Sequence, residues 1–81
     1  MSRQVKFVVR SSEDFGRAIA ELRRLRGETQ EQTASSMGLS RSYLAQMERG
    51  RLPRTVELVL GLLRRAGATV TVTAEVDDGE T

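Results

Sequence analysis

The sequence predicts a mainly α-helical domain in which four short helices are flanked by one β-strand at each end. Two observations predict this class. Four stretches between residues 12 and 66 are typical of helices and are separated by glycines, whereas β-branched residues are concentrated near both ends of the chain. At 81 residues the chain is one domain with a small core, so we expect a dimer to supplement the packing.

The composition excludes several classes of catalytic and metal site. The chain has no cysteine and no histidine, which removes thiolate nucleophiles, imidazole acid–base chemistry and the commonest metal ligand. No apolar stretch approaches the roughly 20 residues that span a bilayer, and the amino terminus lacks the pattern of a signal peptide. We therefore expect a cytoplasmic protein that is not an enzyme and holds no cofactor or metal ion.

Basic charge is concentrated in the middle of the chain. Residues 17–65 contain ten arginines against five acidic residues, whereas the last sixteen residues carry four acidic residues and no basic one. Guanidinium groups bind phosphate and guanine bidentately, so this distribution favours a nucleic-acid partner, although codon bias also produces arginine-rich surfaces. Residues 77–81 are expected to form an acidic, flexible tail beyond a single domain of residues 1–76.

The first two elements are predicted to be a strand and a helix. The β-branched and aromatic stretch "VKFVVRS", residues 5–11, predicts a short strand. Ser11 or Ser12 is a suitable amino-terminal cap for a first helix, which Gly27 ends. The core side of this helix is expected to contain Phe15, Ala18, Ile19, Leu22 and Leu25, which have helical spacing.

Two shorter helices follow, with only about three residues between them. Thr29 is the expected cap of the second helix, which runs to about Met37 and is closed by Gly38. Ser40 caps the third helix. The apolar side of the third helix carries Tyr43, Leu44 and Met47, and its other side carries Arg41, Ser42, Ala45, Gln46 and Arg49. A helix that only filled a core would not need this second side.

The fourth helix and the last strand complete the chain. Pro53 and Thr55 mark a turn, after which Val56, Val59, Leu60 and Leu63 form an apolar stripe that Leu58 and Leu62 widen. We expect this helix to be buried on more than one side. After Gly67 the period becomes two, with Val70, Val72, Ala74 and Val76 on one face. Residues 69–74 must pair with residues 5–9, with the same strand of a second chain, or with both.

The second and third helices have the spacing of a helix-turn-helix motif. Ala34 stands where the helices would cross, and Gly38 stands where the turn needs a positive φ. We expect the core of the motif to contain Met37, Leu39, Leu44 and Met47. The segment "TQEQTASSMGLSRSYLAQMERGR", residues 29–51, resembles the Xre and phage-repressor family of DNA-binding domains, which implies a lambda-repressor-like fold. Thr33 stands at a usually apolar position, and we expect its hydroxyl to bond a carbonyl of its own helix.

The polar side of the third helix fits the major groove of DNA, which admits one α-helix and presents donors and acceptors on its base edges. Arg41 suits guanine, Gln46 suits adenine, and Ser42 suits several bases, while Ala45 allows close approach. The resemblance implies that Arg41, Ser42 and Gln46 occupy base-reading positions.

Contacts to the DNA backbone are expected around this helix. The resemblance implies that Gln30 bonds phosphate at the start of the second helix and that Tyr43 lies near the backbone. The other expected backbone contacts are Thr29, Ser40, Arg49, Arg51 and Arg54. Tyr43 could instead belong to the core, and Arg49 could only neutralise the end of its helix. Glu48 is expected to be structural and paired to an arginine.

The end of the chain resembles a narrower group, the HipB-type antitoxins. The shared feature is a short Xre domain whose last helix leads through "RRAGATVTVT" into a carboxy-terminal strand. The resemblance implies that the terminal strands form a small intersubunit sheet, here through Val70, Val72 and Ala74. It also implies a homodimer that represses transcription from an inverted-repeat operator on double-stranded DNA and restrains a HipA-like kinase toxin. A free-standing Xre-family regulator and a protein-interaction module are the alternatives.

Overall fold

The structure, a computed structural model, describes residues 2–77 and contains four helices between two strands. The elements are β1 (Ser2–Val9), α1 (Ser12–Leu25), α2 (Gln30–Met37), α3 (Arg41–Glu48), α4 (Arg54–Arg65) and β2 (Val70–Asp77). The predicted class, a mainly helical domain with a small terminal sheet, is confirmed. β1 ends at Val9 rather than at Ser11, because the Ser11 hydroxyl caps α1 by accepting from the Asp14 N–H.

The two strands pair with each other in antiparallel orientation within one chain. Their register places Val5 opposite Ala74, Phe7 opposite Val72 and Val9 opposite Val70. Burial alternates along β2, as its period of two predicted, and along β1 from Gln4 to Val9, and the apolar face is the covered one. Of the pairings left open by the sequence, the structure therefore contains the one between residues 5–9 and β2. Val70, Val72 and Ala74 are half-buried on the face shared with Val9 and Val76.

All four helices are followed by a glycine with positive φ, at positions 27, 38, 50 and 67. After α2 the Leu39 N–H donates to the Ala34 carbonyl at 2.8 Å and the Gly38 N–H donates to the Ser35 carbonyl at 3.2 Å, which is a Schellman motif. The motif turns Leu39 back toward α2 and leaves Met37 at the surface, 67% exposed. The prediction that Met37 fills the core is therefore wrong.

The core is small and consists mainly of small side chains. Its buried apolar residues are Val9, Ala18, Ala20, Ala34, Leu44, Leu60 and Val76. The larger residues predicted for α1 are only half-buried. Gly16, rather than one of these larger residues, lies where α1 comes closest to α3. A Cβ added at Gly16 would lie 2.5 Å from the Glu48 carbonyl oxygen. Because α1 crosses the end of α3 this closely, the orientation of α3 is set by backbone contact.

α4 is the least covered helix of the described residues. It begins at Arg54 after Pro53, without a side-chain cap, so Thr55 lies in its first turn rather than before it. Only Leu60 is buried, while Leu58, Val59, Leu62 and Leu63 are exposed. The prediction that this helix is buried on more than one side is wrong within residues 2–77, because Leu60 is covered whereas Leu58 and Leu62, which widen the apolar stripe, are exposed.

Candidate nucleic-acid interface

Two capped helices form the centre of the candidate site. The Thr29 hydroxyl accepts from the Gln32 N–H at 3.0 Å, and the Gln32 side chain accepts from the Thr29 N–H at 2.8 Å, which is a capping box at the start of α2. The Ser40 hydroxyl accepts from the Tyr43 N–H at 3.0 Å and starts α3. Ala34 and Leu44 are both buried, which lets the two helices pack closely. The predicted helix-turn-helix geometry follows from these local interactions.

α3 presents the four predicted base-reading residues on one side. Arg41, Ser42 and Gln46 are exposed, and Ala45 is half-buried between them. Their spacing along the helix keeps all four within less than half of its circumference. The first turn of α3 contains no acidic residue, so nothing there repels phosphate. The structure therefore gathers these side chains on one accessible surface.

An ion pair beneath the motif joins α1 to α3. The Arg23 Nε donates to Glu48 Oε2 at 2.6 Å, and the Arg23 Nη2 donates to Glu48 Oε1 at 3.1 Å. The two side chains are only 11% and 6% exposed. The hydrogen bond from Arg23 lowers the pKa of Glu48 and raises the pKa of Arg23, and burial opposes both shifts. The prediction that Glu48 is structural and paired to an arginine is confirmed.

The same carboxylate orients the first residue of α2. The Gln30 Nε2 donates to Glu48 Oε1 at 2.9 Å, which uses one of its two amide hydrogens. The second hydrogen remains for an acceptor outside the chain. Gln30 is half-buried and lies at the amino end of α2, where the helix dipole favours an anion. Glu48 thus orients the Gln30 side chain, which is expected from the sequence to bind phosphate.

Arg23 was not among the residues predicted from the sequence. It also donates through Nη1 to the Glu28 carbonyl at 2.8 Å, so it supports the loop before α2 as well as α3. The Glu28 carboxylate in turn accepts from the Thr33 hydroxyl at 2.6 Å. The prediction that Thr33 bonds a carbonyl of its own helix is therefore wrong, because a carboxylate within reach is the stronger acceptor.

The surface next to α3 continues onto α1 and carries acidic as well as basic side chains. A depression between β1, α1 and α3 brings Gln30, Ala45 and Arg49 together with Arg17 and Arg24. The two α1 arginines also pair with acidic neighbours on the same helix. Arg17 and Arg24 were not assigned to this surface from the sequence, because their positions are typical of the solvent-exposed side of a helix. Their separation of seven residues, which keeps them on one face, was the available signal.

A family model described as a helix-turn-helix domain matches residues 14–76, from α1 into β2. The chain belongs to this helix-turn-helix family. A helix-turn-helix domain indicates a DNA-binding regulator, and the match is consistent with the Xre-type resemblance of residues 29–51. Comparison with curated proteins and with solved structures gives no significant match.

The remaining residues assigned to the DNA backbone lie at the ends of the helices of the helix-turn-helix domain. Thr29 and Ser40 are exposed caps, and Arg49 follows α3 directly. Arg51 is exposed in the turn between α3 and α4, and Arg54 is exposed at the first position of α4. Tyr43 is 48% exposed, which argues against the alternative that it belongs to the core.

Two findings describe what the helix-turn-helix domain lacks within residues 2–77. This part of the chain contains no group of three or more acidic side chains that could hold a metal ion. It also contains no helix long and apolar enough to cross a bilayer. Of the predicted tail, Asp77 is the last residue of β2, and residues 78–81 lie outside the described residues.

Proposed function

We propose that the chain binds double-stranded DNA in a sequence-specific manner and represses transcription as a homodimer. The observation that carries this proposal is the accessible side of α3, on which Arg41, Ser42 and Gln46 surround the small Ala45. A helix of this kind enters the major groove and distinguishes base pairs through their donors and acceptors.

Each side chain has a role that its chemistry supports. Arg41 can donate twice to guanine O6 and N7, and Gln46 can form the paired bonds to adenine N6 and N7. Ser42 bonds several bases, and Ala45 lets the backbone of α3 approach. Gln30 offers its second amide hydrogen to a phosphate at the amino end of α2. The flanking backbone contacts are Thr29, Ser40, Tyr43, Arg49, Arg51 and Arg54.

A dimer on an inverted repeat is the arrangement that this kind of domain favours. The two α3 helices must be about 34 Å apart, or a multiple of that distance, to enter successive major grooves on one side of the duplex. β1 is the only neighbour of β2 in the described sheet, so one edge of β2 is open to a strand from a second chain. Intersubunit contact through Val70, Val72 and Ala74 is therefore part of the proposal.

Selection of bound sequences from a random DNA pool tests the proposal. We expect the full chain to enrich an inverted repeat whose half-sites are one helical turn apart. The doubly substituted variant Arg41→Ala/Gln46→Ala is the control, and it should enrich no sequence while it retains weak binding that salt abolishes. The same weak, salt-sensitive binding by the unaltered chain would instead support a protein-interaction module.

We infer a narrower role as the HipB-like antitoxin of a kinase-like toxin. The support is the strand that follows α4 through "RRAGATVTVT", together with the short helical domain before it. The test is co-expression with the product of an adjacent kinase-like gene, followed by purification of the complex and an assay of kinase inhibition. A stable inhibitory complex supports the antitoxin, and the absence of such a gene or complex favours a free-standing Xre-family regulator.

A further inference from the structure

The depression between β1, α1 and α3 gathers nitrogen-bearing side chains from three parts of the chain. It has a volume of about 550 Å³, and its lining includes Arg24 of α1, Gln30 at the start of α2 and Arg49 after α3. Gln30 and Arg49 belong to the proposed contacts with the DNA backbone. Arg24 lies outside the helix-turn-helix motif itself, so the depression continues the proposed interface onto α1.

Arg24 lies close to the carboxylate that orients Gln30. The pKa of Glu48 is lowered mainly by hydrogen bonding from Arg23, and the positive charge of Arg24 adds to the lowering. The Arg24 guanidinium is therefore near the group to which Gln30 donates. Because Arg23 and Gln30 already donate to the two Glu48 oxygens, Arg24 is left for an acceptor outside the chain.

The two α1 arginines of the depression differ in how firmly they are paired. Arg17 donates to Asp14, which also accepts from the Arg10 N–H at 2.8 Å, so this carboxylate is fixed beside Arg17. Arg24 meets Glu21 at 3.5 Å, and the two side chains are 62% and 49% exposed. An exposed pair of this kind contributes little, so Glu21 can turn into solvent. Arg24 is the α1 cation that an external anion can bind more easily.

The charges around the depression leave an excess of guanidinium groups. Its lining contains three acidic and three basic residues, and Arg23, which binds the lining residue Glu48, adds a further cation. Arg49 forms no ion pair with an acidic side chain of residues 2–77. An anion in the depression would therefore meet positive charge from both α1 and the end of α3.

We infer that Arg24 binds the same DNA phosphate as Gln30, with Arg49 on the α3 side of the depression. A backbone phosphate has two unesterified oxygens, so it can accept from a guanidinium and from an amide at the same time. Such a contact positions the protein on the duplex and carries no sequence information. The inference rests on the proposed function, and it extends the backbone contacts of that function from α2 and α3 onto α1.

The salt dependence of DNA binding by the full chain tests this inference. Arg24→Ala should weaken binding to selected and unrelated duplexes equally, on the order of tenfold, and reduce the salt dependence by about one unit. Arg26→Ala is the matched control, because it removes the same charge two residues away. Arg26 also meets an acidic residue in an exposed pair, at 3.7 Å, but it lines a depression on the β2 side of α1. Its substitution should change affinity less than about twofold and leave the salt dependence unchanged. Circular dichroism should show equal helix content in all three proteins.

The competing carboxylate gives a second test. Glu21→Gln removes the charge that pairs with Arg24, so it should tighten binding to all DNA by about two- to threefold. In the Arg24→Ala background, Glu21→Gln should have no such effect. A gain that persisted without Arg24 would show that Glu21 acts through general repulsion of DNA, and it would overturn the inference.

Duplexes with one methylphosphonate, which removes the charge of a single phosphate, locate the contact. We expect one position of the selected operator to weaken binding of the wild type and to have no effect on Arg24→Ala or on Gln30→Ala. Different positions for the two variants, or equal salt dependence of Arg24→Ala and Arg26→Ala, would overturn the inference. If the wild type selects an operator but Arg24→Ala behaves like Arg26→Ala, only this inference fails. If the chain binds all duplexes alike and Arg24→Ala still loses one unit of salt dependence, only the proposed base reading fails. A chain that binds no duplex contradicts both.

Discussion

The Arg23 guanidinium donates two hydrogen bonds to the Glu48 carboxylate, with Nε–Oε2 and Nη2–Oε1 distances of 2.6 and 3.1 Å. The residues are 25 positions apart, and they connect the last turn of α1 with the last residue of α3. Gln30 donates to the same carboxylate, so the start of α2 is held by this pair as well. The relative position of the proposed base-reading helix and the proposed phosphate-binding amide therefore depends on one carboxylate.

Removal of one member of this pair should strongly destabilise the fold. We expect Arg23→Met to lower the free energy of unfolding by about 3–5 kcal/mol, because the Glu48 charge would stay buried without its partner. The double variant Arg23→Met/Glu48→Leu should recover most of this loss. Urea denaturation measures the free energy of unfolding of the wild type and of both variants. The control is Arg24→Met, whose partner Glu21 is exposed, and it should cost less than about 1 kcal/mol. Equal losses in Arg23→Met and Arg24→Met would contradict the expected importance of the buried pair.

The pair should also make stability depend on pH in the acidic range. Arg23 lowers the pKa of Glu48 below its ordinary value of 4.5, so the contribution is complete above about pH 4.5 and is lost as pH falls through the folded-state pKa. Wild type should lose stability in this range more steeply than Arg23→Met/Glu48→Leu in denaturation experiments at a series of pH values. The pKa of Asp14 is also lowered, mainly by the Arg10 N–H, but Asp14 is present in both proteins. Parallel pH profiles would show that Glu48 does not carry the dependence.

Local signals explain why the elements could be predicted so closely from the sequence. Ser11, Thr29 and Ser40 each cap a helix through a bond to a nearby N–H, and a glycine with positive φ follows each helix. Such interactions join residues three to five positions apart, so the sequence contains both partners side by side. The polar side of α3, on which Arg41, Ser42 and Gln46 lie, could likewise be predicted, because its residues are close together in the sequence.

Long-range contacts account for what the sequence did not predict. The partnership of Arg23 with Glu48 and the close approach at Gly16 join α1 to α3, and neither leaves a pattern within one helix. Periodicity shows which side of a helix is apolar and does not show what covers that side. For this reason the helix α4 was wrongly predicted to be buried on more than one side. Met37 was wrongly placed in the core from the spacing of the helix-turn-helix motif, which does not show that the turn at Gly38 leaves this side chain exposed.

Base-reading and phosphate-binding residues should respond differently to substitution. Arg41→Ala and Gln46→Ala should each lose roughly 1–3 kcal/mol on the selected operator and bind unrelated DNA almost normally, because base contacts carry the specificity. Arg51→Ala and Arg54→Ala should weaken binding to all DNA about equally and reduce the salt dependence by about one unit each. Titrations of operator and unrelated duplexes at several salt concentrations provide the comparison. One shared specificity profile for both groups would mean that the residues were wrongly sorted.

Two glycines in helices should respond to alanine in opposite directions. At Gly16 an added Cβ would lie 2.5 Å from the Glu48 carbonyl oxygen and 2.7 Å from the Gly50 nitrogen, so α1 and α3 would have to separate. We expect Gly16→Ala to destabilise the fold by about 1–3 kcal/mol and to weaken operator binding, because α3 is displaced.

Gly61 in α4 is the matched control, since a Cβ there would meet only the Arg64 Nη2 at an ordinary 3.8 Å. Gly61→Ala should therefore stabilise the fold by about 0.5–1 kcal/mol through helix propensity and leave operator binding unchanged. Urea denaturation and operator titration of both variants give the two readouts. If Gly16→Ala retained wild-type stability and affinity, the close crossing of α1 over α3 would not be what positions the proposed base-reading helix.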